Sequence, residues 1–219
     1  GEMAKLRNYP KLLHSTLNFT KLSYYWRKGD MLNFVRAAHQ YLAYTDRRKF
    51  SAEEQLEISQ RVVSASLISE SVLNFGDILE NEFFACLGAS PATKTLWALV
   101  GIFNRGKVDE FLRFIAANDA QLQANPLLAQ NLPQLDRKIR VIALYDAIFF
   151  AENSFAKQTI GFAEVAEIGK VQLADVERLL VHVLSIGLIK GLIDEPSETF
   201  VIQELKPRDL DRERLAQLK

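Results

Sequence analysis

Hydrophobic residues recur every three or four positions along the first 155 residues, which is the period of an amphipathic helix. Each apolar stripe ends at a short segment of polar residues or glycine, so the pattern predicts successive helices joined by short turns. The predicted helices span residues 12–27, 30–44, 52–72, 91–103 and 108–117, followed by one after Pro133 whose apolar positions are Leu135, Ile139, Ile142, Tyr145 and Phe149.

Two of the predicted helices begin with capping signals. Ser51 and Glu54 have the spacing of a capping box, in which each side chain accepts a hydrogen bond from the other residue's backbone amide. Ser90 precedes Pro91, which places a hydroxyl N-cap before a proline at the first helical position. These signals set the predicted starts of the third and fourth helices.

Two glycine hinges share a pattern of aromatic residues. In each, an aromatic residue lies three positions before the glycine and a phenylalanine five positions after it; the glycines are Gly29 and Gly106, 77 positions apart. That distance holds two helical hairpins of roughly 34 to 40 residues, the length of tetratricopeptide-like repeats. Glycine allows the tight turn, and the aromatic residues are expected to fill the space between paired helices. These aromatic residues are Trp26 and Phe34 at the first hinge, and Phe103 and Phe111 at the second.

Residues 159–205 follow a different pattern, beginning with two helices. A short helix is predicted over 163–168, ending at Gly169, and a longer one over 173–186, ending at Gly187. The longer helix has one apolar face, which predicts that it packs against a core. The residues of this face are Val176, Leu179, Leu180, Val183 and Leu184.

Two apolar runs after these helices predict a β-hairpin. Residues 188–193 and 200–205 are rich in Leu, Ile and Val, and the turn-forming segment 194–199 separates them. A helix, a turn, a second helix and a hairpin together define a winged helix. We therefore predict a mostly α-helical fold, with a right-handed helical-repeat stack over residues 1–155 and a winged helix over 156–206.

A winged helix first raises the question of nucleic-acid binding, and the charge argues against it. Residues 159–205 contain three basic and eight acidic residues, a net charge of −5. A recognition helix needs basic or amide side chains on its outer face to contact phosphates and base edges. The predicted one offers Asp175, Glu177, Arg178 and His182. The pattern favours a protein partner, and a nucleic-acid-binding winged helix is the alternative.

The overall composition is that of an ordinary globular protein. The chain has 27 basic and 27 acidic residues and is 48% hydrophobic, enough to form a core. Cys86 is the only cysteine, so the chain has no intramolecular disulfide and no thiolate metal cluster. No apolar run approaches the roughly 18–20 residues of a membrane span, and the first residues lack a signal-peptide pattern. We expect an intracellular protein that does not contact membranes.

Residue patterns typical of catalysis are missing from the sequence. The ten glycines lack phosphate-binding spacing, and the three histidines are far apart and in no metal-binding motif. Paired carboxylates lie at helix starts and turns, where acidic residues face solvent or interact with a helix dipole. We therefore predict no catalytic residue, metal or cofactor, and a protein that is not an enzyme.

The order of elements and several local sequences resemble the PCI family, whose members occur in the proteasome lid, the COP9 signalosome and initiation factor three. The resemblance covers roughly residues 65–210 and is strongest over 176–195. Gln172 departs from it, because a hydroxyl N-cap is expected before the long helix. The segments that carry the resemblance are 73–79, Trp97, 103–108, 135–139, 162–166, 175–181, 184–191 and 193–195.

The resemblance is closest to the proteasome lid members and implies a non-catalytic scaffold subunit of the regulatory particle. Such a subunit acts in ubiquitin-dependent protein degradation in the cytoplasm and nucleus. The implied partners are other lid subunits, namely a neighbouring PCI subunit and the inactive MPN-domain subunit, together with the ubiquitin-receptor subunit. An equivalent subunit of the COP9 signalosome or of initiation factor three is the alternative.

The predicted hairpin also suggests where a partner binds. A two-stranded ribbon leaves unpaired N–H and C=O groups on its edge, and these can pair with another chain. Residues 200–202 carry little protection against such pairing. The alternative interpretation is that the hairpin is a short wing that packs only on its own helix. The predicted partner-binding residues of this strand are Phe200, Val201, Ile202, Gln203 and Glu204.

Residues 207–219 are predicted to begin a further helix. Asp209 is placed to cap it, and the pattern ends after about three turns, too short for a stable isolated helix. We expect the natural chain to continue and this helix to join a bundle used in assembly, so that the isolated chain is a monomer. Its predicted contact residues are Leu210, Leu215 and Leu218.

Overall fold

The computed structural model describes residues 11–150 and 159–206, and over these residues the chain is mostly helical with one small sheet. The chain divides into two compact units. One comprises the described residues up to Val72 together with Asn81–Leu96, and the other comprises Leu73–Glu80 together with the described residues from Trp97 onward. The predicted boundary at residue 155 and the predicted assembly helix, with Leu210, Leu215 and Leu218, lie outside the described residues.

The first unit is built from helices that pack in sequence. Helix α1 packs along α2, and α2 packs on α3. Its buried apolar residues include Phe34, Val62, Leu67, Phe84 and Leu87. The helices of this unit are α1 (Lys11–Lys28), α2 (Met31–Tyr44), α3 (Ala52–Ile68) and α5 (Cys86–Ala89), and a 3₁₀ turn spans Arg47–Lys49.

The third helix confirms one signal of the sequence and corrects its predicted length. Both hydrogen bonds of the capping box between Ser51 and Glu54 are present. Helix α3 ends at Ile68, four residues before the predicted end, because the backbone of Ser69 is extended with φ −63° and ψ 118°. The sequence pattern that predicts a helix continues beyond Ile68, but the backbone is no longer helical there.

The fourth predicted helix begins later than expected. Pro91 and the two residues after it form a turn, and the helix, α6, begins at Lys94. The hydroxyl of Thr93 donates to the carbonyl of Leu87 at 2.8 Å, a local bond that holds the turn in place. The prediction of a helix start at Pro91 was therefore wrong by three residues.

Both glycine hinges form the predicted tight turns. Gly29 and Gly106 have φ of +74° and +64°, in the left-handed region that favours glycine. At each hinge the two flanking aromatic rings are in contact and fill the space between the paired helices. The ring centroids are 4.9 Å apart for Trp26 and Phe34, and 5.6 Å apart for Phe103 and Phe111.

In the second unit, a series of helices precedes the winged helix. Helix α7 has the predicted bounds, whereas α4, α8 and α9 are short helices that the sequence pattern did not indicate. Lys138 on α10 is buried, and its ammonium lies 4.9 Å from the ring centroid of Phe75, a cation–π contact. The helices are α4 (Gly76–Glu80), α6 (Lys94–Arg105, which crosses the division between units), α7 (Val108–Ala117), α8 (Asp119–Gln123), α9 (Pro126–Gln130) and α10 (Leu132–Phe149).

The winged helix of the second unit has the predicted helices and hairpin, with shifted bounds and one additional strand. Helix α12 ends at Ile186, and the φ of +76° at the following Gly187 confirms the predicted stop. A 3₁₀ turn over Leu173–Asp175 precedes α12, and Gln172 makes no side-chain capping bond. The elements are β1 (Thr159–Gly161), α11 (Phe162–Gly169), α12 (Val176–Ile186), β2 (Ile189–Asp194) and β3 (Thr199–Leu205).

The end of α11 differs from the prediction that Gly169 stops the helix. Gly169 is still helical, and Lys170 takes the left-handed conformation with φ 52° and ψ 44°. Gly169 matters for packing instead, because a β-carbon there would lie 2.8 Å from a methyl carbon of Leu179. The glycine therefore allows α11 and α12 to approach closely.

A single apolar cluster joins the winged helix to α10. Leu180 and Val183 of α12 are buried in it, as predicted from the apolar face, and so are residues from α11 and the sheet. Helix α10 contributes Val141, Leu144, Tyr145 and Ile148. The winged helix is thus packed on α10, which forms one wall of its core.

Candidate protein-interaction site

The sheet of the winged helix has three strands in the order β1-β3-β2, which corrects the predicted two-stranded ribbon. Residues Thr199–Val201 of β3 pair with Thr159–Gly161 of β1 on one side and with β2 on the other. The prediction of a free edge at this part of β3 was therefore wrong. Strand β1 has three residues, too few for a period-two pattern to be recognised in the sequence.

The five predicted partner-binding residues of β3 have different environments. Phe200 is fully buried in the core, opposite Ile160, so the prediction that it contacts a partner was wrong. Ile202 is partly buried and packs against the same core. Val201 is half-buried, and Gln203 and Glu204 are exposed.

Leu192 is the most exposed large apolar residue of the sheet, with 59% of its surface accessible. It lies on β2, directly opposite Val201, and Val201 is in turn opposite Thr159. Directly opposed residues in antiparallel strands lie on the same face, so these three form a row on the outer face of the sheet. The sequence prediction missed Leu192, although it follows Lys190 on the exposed side of an alternating pattern.

Strands β1 and β2 lie at the two edges of this sheet. Strand β2, with six residues against three in β1, leaves the longer edge without a partner within the described sheet. Its outer N–H and C=O groups can therefore accept a strand from another chain. Leu192 lies on this edge strand. The edge of β2 and the adjacent outer-face residues Leu192 and Val201 are the candidate interaction site, called the β2 site below.

A β-bulge lies at one end of the β2 site. Lys190 is opposite Glu204 and Gly191 is opposite Ile202, so Gln203 is the additional residue on β3. Gly191 allows the strands to approach closely here. A β-carbon on it would lie 2.4 Å from the carbonyl oxygen of Val201.

An ion pair marks the same end of the site. The ammonium of Lys190 contacts the carboxylate of Glu204 across the two strands. The hydrogen bond from Lys190 lowers the pKa of the Glu204 carboxyl below its ordinary value, with the charge of Lys190 as the next cause. Both side chains are about half exposed, so the pair contributes little to stability. A lysine on an edge strand also restricts indiscriminate pairing.

The outer face of α12 lacks the chemistry of a recognition helix. Arg178 is the one arginine or lysine of α12, and its guanidinium pairs with the carboxylate of Asp175 at 3.0 Å. Val181, near the middle of this face, is 59% exposed. An apolar residue beside an internally paired arginine suits a protein surface and is poor for a phosphate backbone.

Within residues 11–150 and 159–206, no group of three or more His, Cys, Asp or Glu side chains is arranged to hold a metal ion. Over the same part of the chain, the helices are too short or too polar to cross a membrane.

Two known families match parts of the chain. Residues 115–204 match the PCI domain, and residues 2–100 match the family of PSD13 N-terminal repeats. Each match covers less than half of the chain, and their order agrees with its helical region followed by a winged helix.

Individual proteins similar to this chain include subunits of the 26S proteasome. The chain is 28% identical over 210 residues to 26S proteasome non-ATPase regulatory subunit 13 of Dictyostelium discoideum, covering 96% of this chain and 54% of the relative. It is 27% identical over 198 residues to 26S proteasome non-ATPase regulatory subunit 13 homolog A of Arabidopsis thaliana, covering 90% and 50%. It thus spans about half the length of these proteasome relatives.

A more distant relative is a translation initiation factor subunit. The chain is 24% identical over 152 residues to eukaryotic translation initiation factor 3 subunit M of Neosartorya fischeri. This likeness covers 69% of the chain and 31% of the relative, less than either proteasome subunit.

Proposed function

We propose that this chain acts as a non-catalytic scaffold subunit of the 26S proteasome regulatory particle lid, in ubiquitin-dependent protein degradation in the cytoplasm and nucleus. The observation that carries the proposal is the succession of two family matches, PSD13 N-terminal repeats and then a PCI domain. The named proteasome relatives are similar to nearly the whole chain, whereas the initiation-factor relative is similar to about two thirds of it.

The β2 site supplies the physical basis for assembly. An incoming strand can bond to the free backbone groups of β2, which gives affinity without any catalytic group. Leu192 and Val201 add apolar surface beside that edge, and its burial stabilises the contact. We propose that the neighbouring PCI subunit binds here through its own winged helix.

Other contacts follow from the family resemblance and are part of the same proposal. The helical repeats contact the ubiquitin-receptor subunit, and the inactive MPN-domain subunit is a further neighbour. Leu210, Leu215 and Leu218, which lie outside the described residues, are part of the proposed assembly contacts. The exposed residues Gln203 and Glu204 at the bulge contribute to the edge contact.

Affinity purification from cells of the source organism, followed by mass spectrometry, tests the assignment. We expect lid subunits to be recovered together with the tagged chain. Recovery of signalosome or initiation-factor subunits without proteasome subunits would instead assign the chain to another PCI complex.

Replacing Leu192 with aspartate should weaken binding to a lid subassembly that lacks this subunit. An unpaired carboxylate in a desolvated contact costs on the order of 2 kcal/mol, which corresponds to about a thirtyfold rise in Kd. Surface plasmon resonance measures the Kd. Leu192→Asp should leave the melting temperature unchanged because the side chain is mostly exposed.

Leu173→Asp is the matched control for this experiment. Leu173 is 49% exposed and lies before α12, away from the sheet strands. It should change neither the Kd nor the melting temperature. Equal affinities of the Leu192 variant and the unaltered chain would exclude the outer face of β2 as the contact.

The charge of the winged helix predicts no affinity for nucleic acid at physiological ionic strength. Its acidic residues outnumber its basic residues by five over 159–205, and Arg178 is already paired. We expect no shift of duplex DNA or RNA in a gel mobility assay. Tight binding that weakens steeply as salt rises would support the nucleic-acid alternative.

A further inference from the structure

The C-terminal end of α11 has an unusual backbone for its sequence. Lys170 adopts the left-handed conformation that glycine or asparagine usually occupies at such ends. The amide of Val171 donates to the carbonyl of Ala166, and that of Lys170 to the carbonyl of Glu167, the two bonds of a Schellman motif. This arrangement turns the carbonyls of Gly169 and Lys170 outward, and both accept bonds from outside the helix.

Arg140 of α10 binds both of these carbonyls. Its Nη1 donates to the carbonyl of Gly169 and to that of Lys170, the latter at 2.7 Å. Its Nε and Nη2 donate to the two carboxylate oxygens of Asp136, at 2.9 and 2.8 Å. The Arg140 side chain is only 13% exposed. Its bonds to Asp136 and to the Gly169 carbonyl are partly buried, whereas its bond to the Lys170 carbonyl is exposed. This set of contacts is called the Arg140 clamp below.

The chemistry of arginine suits this position. The planar guanidinium presents several N–H groups in a fixed fork. The edge formed by Nε and Nη2 can therefore bind Asp136, while Nη1 donates to the two carbonyls. Its positive charge also complements the negative end of the helix dipole of α11. Lysine has a single flexible ammonium and cannot reproduce this pattern of donors.

A second polar contact lies at the other end of the winged helix. The hydroxyl of Tyr145 on α10 donates to the carbonyl of Lys206, just after β3, at 2.8 Å. The apolar cluster between α10 and the winged helix is non-directional, because burial of apolar area does not depend on angle. Hydrogen bonds depend on distance and angle, so Arg140 and Tyr145 restrict how the winged helix can rotate on α10.

We propose that Arg140 is a positioning residue for partner binding, which fixes the orientation of the winged helix, and with it the β2 site, on α10. The inference rests on the proposed function, because it concerns the same surface. A partner that contacts both the β2 site and the helices of the second unit binds best when the orientation of the winged helix on α10 is already fixed before binding. When the Arg140 clamp is intact, nearly all molecules hold the winged helix in the orientation that binds, so no affinity is lost to other orientations.

Distance measurements in the isolated chain test the orientation directly. Spin labels attached through Arg137→Cys on α10 and Glu195→Cys on the hairpin turn, in a Cys86→Ala background, report their separation by double electron–electron resonance. Both labelled positions are exposed. We expect one narrow distance distribution with Arg140 present and a broadened distribution with Arg140→Met or Arg140→Lys.

Binding to the lid subassembly tests the consequence. If the competent orientation falls to about a tenth of the population, the apparent Kd rises about tenfold. Arg140→Met and Arg140→Lys should both show this loss, because neither presents the guanidinium fork. A simple loss of stability would lower the melting temperature without broadening the distances.

Lys170→Gly is the matched control. It keeps the carbonyl of residue 170 and the left-handed conformation, while it removes the side chain that lies 3.7 Å from Asp109. It should retain the narrow distribution and the unaltered Kd. If the Arg140 variants fail to fold, Tyr145→Phe removes only the hydroxyl of the second contact and should broaden the distances to a lesser extent.

The outcomes separate the two proposals. Narrow distances in a folded Arg140→Met variant would overturn the inference, and so would broad distances with an unaltered Kd. If the unaltered chain does not bind the lid subassembly, the proposed function fails. In that case, the distance measurements still show whether Arg140 fixes the winged helix.

Discussion

Replacing Leu180 with aspartate should abolish the native winged helix. Leu180 is fully buried on the inner face of α12, in the cluster shared with α10. Loss of its packing and burial of a carboxylate without a designed partner should lower the free energy of unfolding by at least about 4 kcal/mol. Thermal melts followed by circular dichroism measure this change.

Val181→Asp is the matched control for this variant. Val181 is adjacent in sequence but faces solvent, with 59% of its surface exposed. The same charge on this side of α12 should leave the melting temperature within a few degrees of the unaltered chain. An equally severe loss in both variants would show that the effect comes from the helix and not from burial.

Replacing Gly191 with alanine should produce the second largest effect. The added β-carbon would lie 2.4 Å from the carbonyl oxygen of Val201 and 2.7 Å from ring carbons of Phe200. The first contact is with backbone, and the Phe200 ring is buried in the core, so neither can move away freely. We expect a loss of about 2–3 kcal/mol, typical of overpacking. For a chain of this size that corresponds to a melting temperature lower by about 5–10 °C.

Gly161→Ala provides the comparison within the same sheet. A β-carbon on Gly161 would meet no atom within 4 Å, and the backbone there, at φ −74° and ψ 151°, is one that alanine adopts readily. The free energy of unfolding should change by less than about 1 kcal/mol. A similar loss in both variants would mean that the contacts of Gly191 do not decide its importance.

These two expected effects bear on how the β2 site is built. Leu180 anchors α12 to the core under the sheet, and Gly191 lets β2 lie close to β3 at the bulge. Both residues act on the shape of the site without being exposed contact residues. Variants of them should therefore reduce binding together with stability, whereas Leu192→Asp should reduce binding alone.

Local signals in the sequence predicted most of the helical architecture. The capping box at Ser51, the hinge glycines Gly29 and Gly106, and the stop at Gly187 are all present in the structure. Each depends on residues within a few positions of one another, so the sequence contains the whole interaction. The aromatic pairs at the hinges follow for the same reason, because a tight turn brings their two helices together.

The errors at helix ends arose where a local pattern was incomplete. The helix before Ser69 was predicted too long, and the one after Pro91 was predicted to begin too early. Lys170, and not Gly169, takes the left-handed conformation at the end of α11. Its carbonyl is held by Arg140, 30 positions earlier in the chain, and that contact has no local signal.

The interaction site is where the sequence prediction and the structure differ most, because the site depends on which strands are neighbours in the sheet. The sequence determined a hairpin from its two apolar runs and excluded a basic recognition helix from its charge. Only the tertiary structure decided that β1 pairs with β3, which places Phe200 in a central strand and leaves β1 and β2 as the edge strands, with Leu192 exposed on β2. The physical reason is that the hydrogen bonds of a strand join residues that are distant in sequence, here Thr159 and Val201, so alternation along one strand cannot show which side a third strand will occupy.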